Sequence, residues 1–189
     1  ISKTHGSKNT NKAGSTKRNG RASATQKAGS ASSKVTVGPN GLQILTLNVN
    51  GWTQYKWKHI QNMPDFKSID VIVVTEHHRP ASFRPAEIVE SGWDCHFVSG
   101  APMSYHRHRH RGGVAILTRD SASLSVRLRK VINETCGAQH QAATWTLTSP
   151  TWPSAVHLTA VYVSPAAGQL SEFFNLLEQQ NCFPLDQIH

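Results

Sequence analysis

Short apolar runs separated by polar, Gly- and Pro-containing stretches recur from Leu42 onward, and this pattern limits the folds open to the chain. Six of these runs are β-branched and apolar enough for strands. The predicted strands are Leu42 to Val49, Ile69 to Thr75, Val114 to Leu117, Leu124 to Leu128, Ala143 to Leu147 and Val156 to Val163. A strand, a helix and a strand come first and mostly strands follow, which favours a layered α/β sandwich over an all-β barrel or a helical bundle.

Two helices are predicted, at Lys56 to Met63 and at Leu170 to Gln180. In the second helix, apolar residues recur at a spacing of three and four, which places them on one face. These residues are Leu170, Phe173, Phe174 and Leu177.

Residues 1–40 differ in composition from the rest of the chain. They hold eight of the twenty Lys and Arg residues and no acidic residue, whereas the remainder has twelve basic against eleven acidic residues. The segment has almost no apolar side chains to offset the entropy cost of folding, so it is predicted to be disordered. The turn-rich segment Gly38 to Gly41 marks the boundary, and the folded domain is expected to span 41–189.

The basic tail has two interpretations. A solvated basic arm commonly binds nucleic acid or acts as a nuclear-import signal, because each Lys near a phosphate backbone releases a condensed counterion. A passive linker within a longer polyprotein is an equally good interpretation.

Cysteine usage and hydropathy narrow the class of protein. Cys95, Cys136 and Cys182 are odd in number and lack C-x-x-C spacing, as expected of buried thiols in a reducing compartment. No apolar run approaches the roughly 20 residues needed to cross a bilayer, and the N-terminus has no signal-peptide core. We therefore expect an intracellular, nuclear protein with no membrane role.

The end of the first predicted strand carries Asn48 and Asn50, which alternate with apolar neighbours before Gly51. This alternation projects both side chains to the same face. An amide there can fix a phosphate oxygen or hold a catalytic carboxylate, because α/β folds usually place their sites at strand ends. The alternative is a polar strand end that makes only turn hydrogen bonds.

Glu76 directly follows the apolar strand predicted from Ile69 to Thr75. At the mouth of the core a hard cation can bind this carboxylate and offset its desolvation, and Mg²⁺ takes one or two carboxylates while leaving room for water and phosphate. A surface carboxylate without a ligand is the alternative. The adjacent His77 and His78 should point to opposite faces of an extended chain, so they are not expected to chelate one ion together.

These motifs and their order are similar to a known family. The stretch ILTLNVNGW, a helix and SIDVIVVTEHHRP are followed by Gly92-Trp93 before a strand, by GGVAIL at 112–117 and by AVYVSP at 160–165. Over about residues 42–180 the chain resembles the endonuclease/exonuclease/phosphatase superfamily, and within it the apurinic-endonuclease-like domains of non-LTR retrotransposons. The resemblance implies a four-layer α/β sandwich of two packed sheets with outer helices, of which this chain holds the N-terminal portion.

The resemblance also implies roles for individual residues. Asn48 matches a strand-end Asn that orients groups around metal and phosphate, and Glu76 matches the metal-binding glutamate, with Mg²⁺ or Mn²⁺ as the ion. Tyr162 resembles the active-site Tyr that approaches the scissile phosphate. Asn50 stands where many members carry Asp, so it would be a weaker metal ligand, and Ala166 stands where Asn is frequent.

Two later motifs of the family, a Gly-Asp-Phe-Asn segment and a Ser-Asp-His segment, do not occur in the 189 residues. In the family they position the nucleophile and complete phosphate binding, and losing such groups costs about a hundredfold or more each. We therefore expect the chain to be inactive alone. We also expect the second sheet to be missing, which would leave the strand faces of Val71, Val73 and Ile116 uncovered.

The basic segment from Tyr105 to Arg111 leads into Gly112. Arg107, Arg109 and Arg111 are predicted to contact DNA phosphates from a loop, and a solvated loop without a partner is equally consistent. If the segment is extended, its three intervening histidines share a face at a spacing that could suit nickel or zinc.

Aromatic and cationic residues alternate after the first strand. Trp52 and Lys56 are predicted to stack on bases and hold the nucleic-acid backbone. Packing of a helix on the sheet is the alternative, and it is favoured for Trp57.

The leading hypothesis from the sequence is a magnesium-dependent DNA endonuclease domain of a retroelement, with DNA and the remainder of a polyprotein as partners. A non-catalytic nucleic-acid-binding module is the first alternative. A phosphatase or phosphodiesterase of the same superfamily is the second.

Overall fold

The computed structural model describes residues 33–103, 106–133, 140–164, 170–180 and 182. Within them ten strands and three α-helices follow one another, with three short 3-10 helices between them. Their bounds are β1 Ser33–Val37, β2 Gln43–Asn48, α1 Gln54–Gln61, β3 Val71–Thr75, α2 Ala86–Val89, β4 Trp93–Val98, β5 Ala101–Met103, β6 His106–Arg111, β7 Val114–Arg119, β8 Ser125–Asn133, β9 Gln141–Thr148, β10 Val156–Tyr162 and α3 Leu170–Gln179.

The first sheet has five strands in the order β1-β2-β3-β7-β4. Strands β2 and β3 are parallel and the other neighbours are antiparallel. Parallel neighbours need a crossover connection, which α1 supplies here. Since β3 and β7 are central and covered on both faces, their sequences are almost continuously apolar rather than alternating.

The second sheet has three antiparallel strands in the order β10-β9-β8 and packs on one face of the first. Val71, Val73 and Ile116 of the first sheet share a core cluster with Trp145 and Leu147 of the second. The prediction that these strand faces lie uncovered is wrong, because β8 to β10 already supply a covering sheet.

Helices cover the outer faces of both sheets, which completes a four-layer α/β sandwich. On the first sheet, α1 and α2 bury Trp57, Ile60 and Ile88 in a cluster rich in tryptophan. On the second sheet, α3 buries Phe173 and Leu177. The apolar face of α3 is narrower than predicted, since Leu170 and Phe174 remain 43% and 41% exposed.

Two further expectations are corrected. The folded domain begins before residue 41, because β1 pairs along its whole length with β2, as the alternation in SKVTV permits. Residues 1–32 lie outside the described residues, so the disorder predicted for them remains a prediction. The basic segment predicted as a loop is strand β6, which forms a hairpin with β5.

No helix in the described ranges is both long and apolar enough to cross a membrane.

Candidate metal and phosphate site

The ends of β2 and β3 meet at one edge of the first sheet. The two parallel strands pair in register from Ile44 with Val71 to Asn48 with Thr75, so the residues that follow each strand emerge side by side. The side-chain amide of Asn48 donates a 3.0 Å hydrogen bond to Oε1 of Glu76. The two residues predicted to share one site are therefore in contact, across 28 positions of sequence.

Beyond the strands, backbone hydrogen bonds continue the pairing of the two chain segments. The N–H of Val49 donates to the carbonyl of Thr75 at 3.0 Å, and the N–H of Gly51 donates to the carbonyl of Glu76 at 2.6 Å. The N–H of Trp52 donates to the carbonyl of His77 at 2.9 Å. Glu76 is thus held from its main chain as well as from its side chain.

The backbone just after β2 and just after β3 adopts unusual angles. Asn50 has φ of 41° and Glu76 has φ of 57°, both in the left-handed region that side chains rarely adopt. The N–H of Asn50 donates to Oδ1 of Asn48 at 3.1 Å. Such conformations cost on the order of 1–3 kcal/mol and persist only where the surroundings enforce them. Asn48 therefore uses both ends of its amide, one on the turn and one on Glu76.

Tyr162 ends β10 on the face of the second sheet that covers the first. Burial raises the pKa of its phenol above the ordinary value, and the Glu76 carboxylate beside it raises that pKa further. The ring lies against Gly112, where a Cβ would stand 2.9 Å from a ring carbon. Gly112, with φ of 71°, therefore leaves the space that lets Tyr162 reach the strand-end site.

His77 is fully buried, and its hydrogen bonds define its tautomer. Nε2 lies 3.0 Å from the carbonyl oxygen of Val98 and 3.2 Å from that of Val114, so Nε2 carries the proton and donates. Nδ1 accepts from the N–H of Arg79 at 3.0 Å. Burial lowers the pKa of His77 to about 4, so the ring is neutral near pH 7.

His78, in contrast, is only half-buried. Its pKa is lowered, first by burial and then by the nearby cations Lys56, Arg111 and Arg79, against the opposing effect of Glu76. The expectation that His77 and His78 would not chelate one ion together stays a prediction. Within the described part of the chain, no three His, Cys, Asp or Glu side chains form a group that could hold a metal.

Lys56 does not have the role predicted for it. Its ammonium donates to the carbonyl oxygens of Val49, Asn50 and Gly51, at 2.8 Å for the last two. A lysine ammonium has three N–H donors, and all three have acceptors here. Lys56 is therefore a structural cation of the turn rather than a contact to a nucleic-acid backbone.

Trp52 is also corrected. Its ring is 1% exposed and packs against Trp57 and Phe97, with ring centroids 5.8 and 5.9 Å away. Stacking on a base needs an accessible ring face, so Trp52 is a core residue. Trp57 is buried as well and donates from Nε1 to the carbonyl of Glu87 at 3.0 Å, which confirms the packing role favoured for it.

The three arginines of the basic segment all belong to β6. The side chains of Arg107 and Arg109 lie outside the description, as do those of His106 and His108, so the roles predicted for them stay predictions. Arg111 is exposed and close enough to Tyr162 and His78 to influence the pKa of each. It therefore brings a positive charge to the edge of the strand-end site.

The cluster offers one carboxylate, that of Glu76, to a divalent cation. Glu76 is a carboxylate at a strand end, and Mg²⁺ in proteins commonly binds one or two carboxylates, water and substrate phosphate. Asn48 fits a supporting role better than a ligand role, since its oxygen accepts from the turn and its nitrogen donates to Glu76. The side chain of Asn50 makes no hydrogen bond to a described residue, and its role as a second ligand stays a prediction.

The chain is thus a four-layer α/β sandwich with an Asn–Glu–Tyr cluster where the strand ends of both sheets meet. No protein-family model and no curated protein sequence matches it. Among solved structures it is similar to the human Nocturnin catalytic domain with bound sulfate anion, at a TM-score of 0.42 and 11% sequence identity. The similarity covers 65% of this chain and 50% of that one, so the chain spans about half the length of the structure it matches.

Proposed function

We propose that the chain carries part of the active site of a magnesium-dependent DNA endonuclease of the endonuclease/exonuclease/phosphatase superfamily, of the kind found in non-LTR retrotransposons. The contact between Asn48 and Glu76 at a shared strand edge, with Tyr162 beside the carboxylate, is the observation that carries this proposal. A cation-binding carboxylate next to a neutral hydrogen-bond donor suits phosphodiester hydrolysis, which builds negative charge on phosphoryl oxygens.

Each residue of the cluster has a distinct task in this proposal. Mg²⁺ bound at Glu76 would supply Lewis acidity toward a phosphoryl oxygen, with Mn²⁺ as an alternative ion. Asn48 holds the Glu76 carboxylate in one orientation through its 3.0 Å hydrogen bond. The raised pKa of Tyr162 keeps its phenol protonated even above neutral pH, so its hydroxyl can donate to a phosphate oxygen. Arg111 adds a charge that attracts the DNA backbone.

Hydrolysis also needs a group that activates water and one that supports the leaving oxygen. The described residues hold no larger acidic or histidine cluster, and the Gly-Asp-Phe-Asn and Ser-Asp-His segments are absent from the sequence. We therefore propose that these 189 residues bind metal weakly and do not cleave DNA by themselves. The remainder of a retroelement polyprotein is the proposed source of the other groups.

Paramagnetic Mn²⁺ tests the metal site without requiring activity. In the ¹⁵N-labelled chain, Mn²⁺ should broaden the amide resonances of Asn48 and Glu76 before those of α3. Glu76→Gln removes the charge while preserving the shape of the side chain, so it should abolish this broadening. Glu90→Gln removes the same charge from an exposed glutamate beside α2 and should change nothing. Broadening at Asn48 that survives Glu76→Gln would contradict the metal site.

A plasmid assay tests the remaining part of the proposal. Supercoiled plasmid mixed with the 189-residue chain and Mg²⁺ should stay intact over hours. Metal-dependent nicking that disappears in Glu76→Ala would contradict the proposal that the 189 residues are inactive. The same result would support the role of Glu76 in hydrolysis. Nicking that is unchanged in Glu76→Ala would contradict the role of Glu76.

A non-catalytic nucleic-acid-binding module is the second candidate function. The observation that favours it is the presence of Arg79 and Arg111 close to His78, with Glu76 as the opposing charge. Such a module should bind DNA equally well with Mg²⁺ or with EDTA, and its affinity should fall steeply as salt rises. Loss of binding in EDTA would count against this candidate.

A further inference from the structure

The turn after β2 forms a cradle of carbonyl groups that Lys56 fills. The carbonyl oxygens of Val49, Asn50 and Gly51 all accept hydrogen bonds from the same ammonium group. This group belongs to Lys56, which lies in the first turn of α1. Lys56 is partly buried, and desolvation lowers its pKa. The cost of burying this charge is offset by its three carbonyl partners.

The opposite side of the same turn faces the candidate site. The N–H groups of Val49 and Gly51 pair with carbonyls at the end of β3, while the N–H of Asn50 donates to the side chain of Asn48. Asn50 and Gly51 are in the left-handed region, at φ of 41° and 86°. Without a cation, the three converging carbonyl dipoles would repel one another, and the turn would relax toward ordinary backbone angles.

We propose that Lys56 is a positioning residue for the candidate site: its ammonium closes the carbonyl cradle, holds the Asn50 N–H under Asn48, and so aims the Asn48 amide at Glu76. This inference rests on the proposed function for its importance to metal binding. The geometry that it concerns, from Lys56 to Asn48, can be measured without any metal.

The inference makes a prediction of opposite sign to simple electrostatics. Removing a cation from the neighbourhood of Glu76 should strengthen Mn²⁺ binding if charge alone matters. If Lys56 acts by positioning, its removal should weaken Mn²⁺ binding about tenfold or more, as the loss of groups that orient a metal ligand typically does. Lys58, exposed on the same helix, offers a matched control, because Lys58→Ala removes the same charge and leaves the cradle intact.

The first experiment follows the Asn48 side-chain amide in ¹H–¹⁵N spectra of the metal-free chain. In Lys56→Ala this resonance should move toward the position of a solvated amide, and in Lys58→Ala it should stay where it is in the parent chain. Addition of methylammonium should restore the resonance in Lys56→Ala, because a small ammonium can refill the cradle. Tetramethylammonium has the same charge but no N–H donor, so it should not.

The second experiment measures Mn²⁺ affinity by electron paramagnetic resonance in the three proteins. The parent chain and Lys58→Ala should bind Mn²⁺ with equal affinity. The affinity of Lys56→Ala should be at least tenfold lower, and methylammonium should restore it. A Lys56→Ala chain that binds Mn²⁺ as tightly as Lys58→Ala, with an unmoved Asn48 resonance, would overturn the inference. Should Lys56→Ala fail to fold, Lys56→Met retains the apolar stem, and the Asn48 resonance and the Mn²⁺ affinity are measured in it without methylammonium, because the methionine side chain fills the space.

The two proposals fail in different ways. If the parent chain binds no Mn²⁺, the proposed metal site is wrong, and the Asn48 resonance alone decides the role of Lys56. If the Asn48 resonance moves in Lys56→Ala and methylammonium returns it to its parent position, the positioning role of Lys56 is supported. An unmoved resonance contradicts it.

Discussion

Gly113 lies so close to the imidazole of His77 that a Cβ at position 113 would stand 2.5 Å from two of the ring atoms. Gly113 also has φ of 92°, which side chains rarely adopt. The ring fills the space that the missing side chain leaves, and from there it bonds to the carbonyls of Val98 and Val114. The residue next to Glu76 is therefore locked between β4 and β7.

This relationship predicts a large effect of a single methyl group. Gly113→Ala should lower the free energy of unfolding by about 3 kcal/mol or more, since overpacking against a buried ring adds to backbone strain. Gly41→Ala is the control, because Gly41 also has a positive φ, of 74°, but nothing lies near its would-be Cβ. That variant should lose only about 1–2 kcal/mol. Equal losses in urea denaturation would contradict the steric role of His77.

Burial of neutral His77 predicts that stability falls with acid. The pKa of His77 is about 4 in the folded chain against the ordinary histidine value of 6.5, so the unfolded chain takes up a proton first as the pH falls. The contribution of neutral His77 to the free energy of unfolding is fully present above about pH 6.5. It is lost progressively toward pH 4, and the loss amounts to at most about 3 kcal/mol. His78 acts in the same direction because its pKa is also lowered.

Denaturation between pH 4 and pH 8 in EDTA measures this loss. His77→Gln should be less stable than the parent chain at pH 8 and should show a flatter pH dependence. A variant whose stability changes with pH as steeply as that of the parent chain would show that His77 is not the group responsible.

Asn48→Asp should increase the stabilisation that a divalent metal ion gives. A second carboxylate beside Glu76 adds like-charge repulsion, so the melting temperature in EDTA should fall. Mn²⁺ should then raise the melting temperature more than it does in the parent chain, because two carboxylates bind a hard cation better than one. Asn175→Asp introduces the same charge at an exposed position of α3 and should leave the Mn²⁺ response unchanged. A parent-like response in Asn48→Asp would argue against a cation at Glu76.

Arg111→Ala should weaken DNA binding through electrostatics. Removal of one phosphate contact reduces the slope of log affinity against log salt by about 1. Arg127, exposed on β8 in the second sheet, is the matched control, and Arg127→Ala should leave the slope unchanged. The measurement is fluorescence anisotropy with a labelled duplex over a range of salt. Identical slopes for the two variants would place the DNA elsewhere.

Trp52 should affect stability rather than nucleic-acid binding. Trp52→Ala should lower the free energy of unfolding by about 3–5 kcal/mol, since it empties a large volume in the core. Trp52→Phe keeps much of that volume and should bind single-stranded DNA with an affinity within about twofold of the parent chain, well below the effect of losing a stacked base. A large loss of affinity in a folded Trp52→Phe chain would instead indicate that Trp52 stacks on a base.

Much of the fold could be predicted from local patterns. The apolar runs located six of the ten described strands, and the Gly92-Trp93 motif of the family resemblance marked a seventh, β4. Both predicted helices form to within two residues at each end. Strand β1 was missed because its few apolar residues sit in a polar, basic segment, and the edge position that they occupy is set by β2. The β5–β6 hairpin was missed because six alternating His and Arg residues carry no apolar signal.

The candidate site was predictable in part for the same reason. Asn48 and Glu76 were marked by their places at strand ends, and a parallel pairing of those strands brings such residues together. The buried, neutral state of His77 was not predicted. The only sequence feature related to it is the Gly112-Gly113 pair, and that feature can be interpreted only when the side chain packed against these glycines is known.

The sequence by itself determined where most of the strands and two of the three α-helices form, and which polar residues stand at the ends of β2 and β3, because periodicity and turn chemistry act between near neighbours. Only the tertiary structure decided that Trp52 is covered, that Lys56 returns to three carbonyls of the preceding turn, and that the second sheet shields Val71 and Val73. Burial and the partners of a long side chain depend on which surfaces the layers bring together, and that is not a property of any local stretch of sequence.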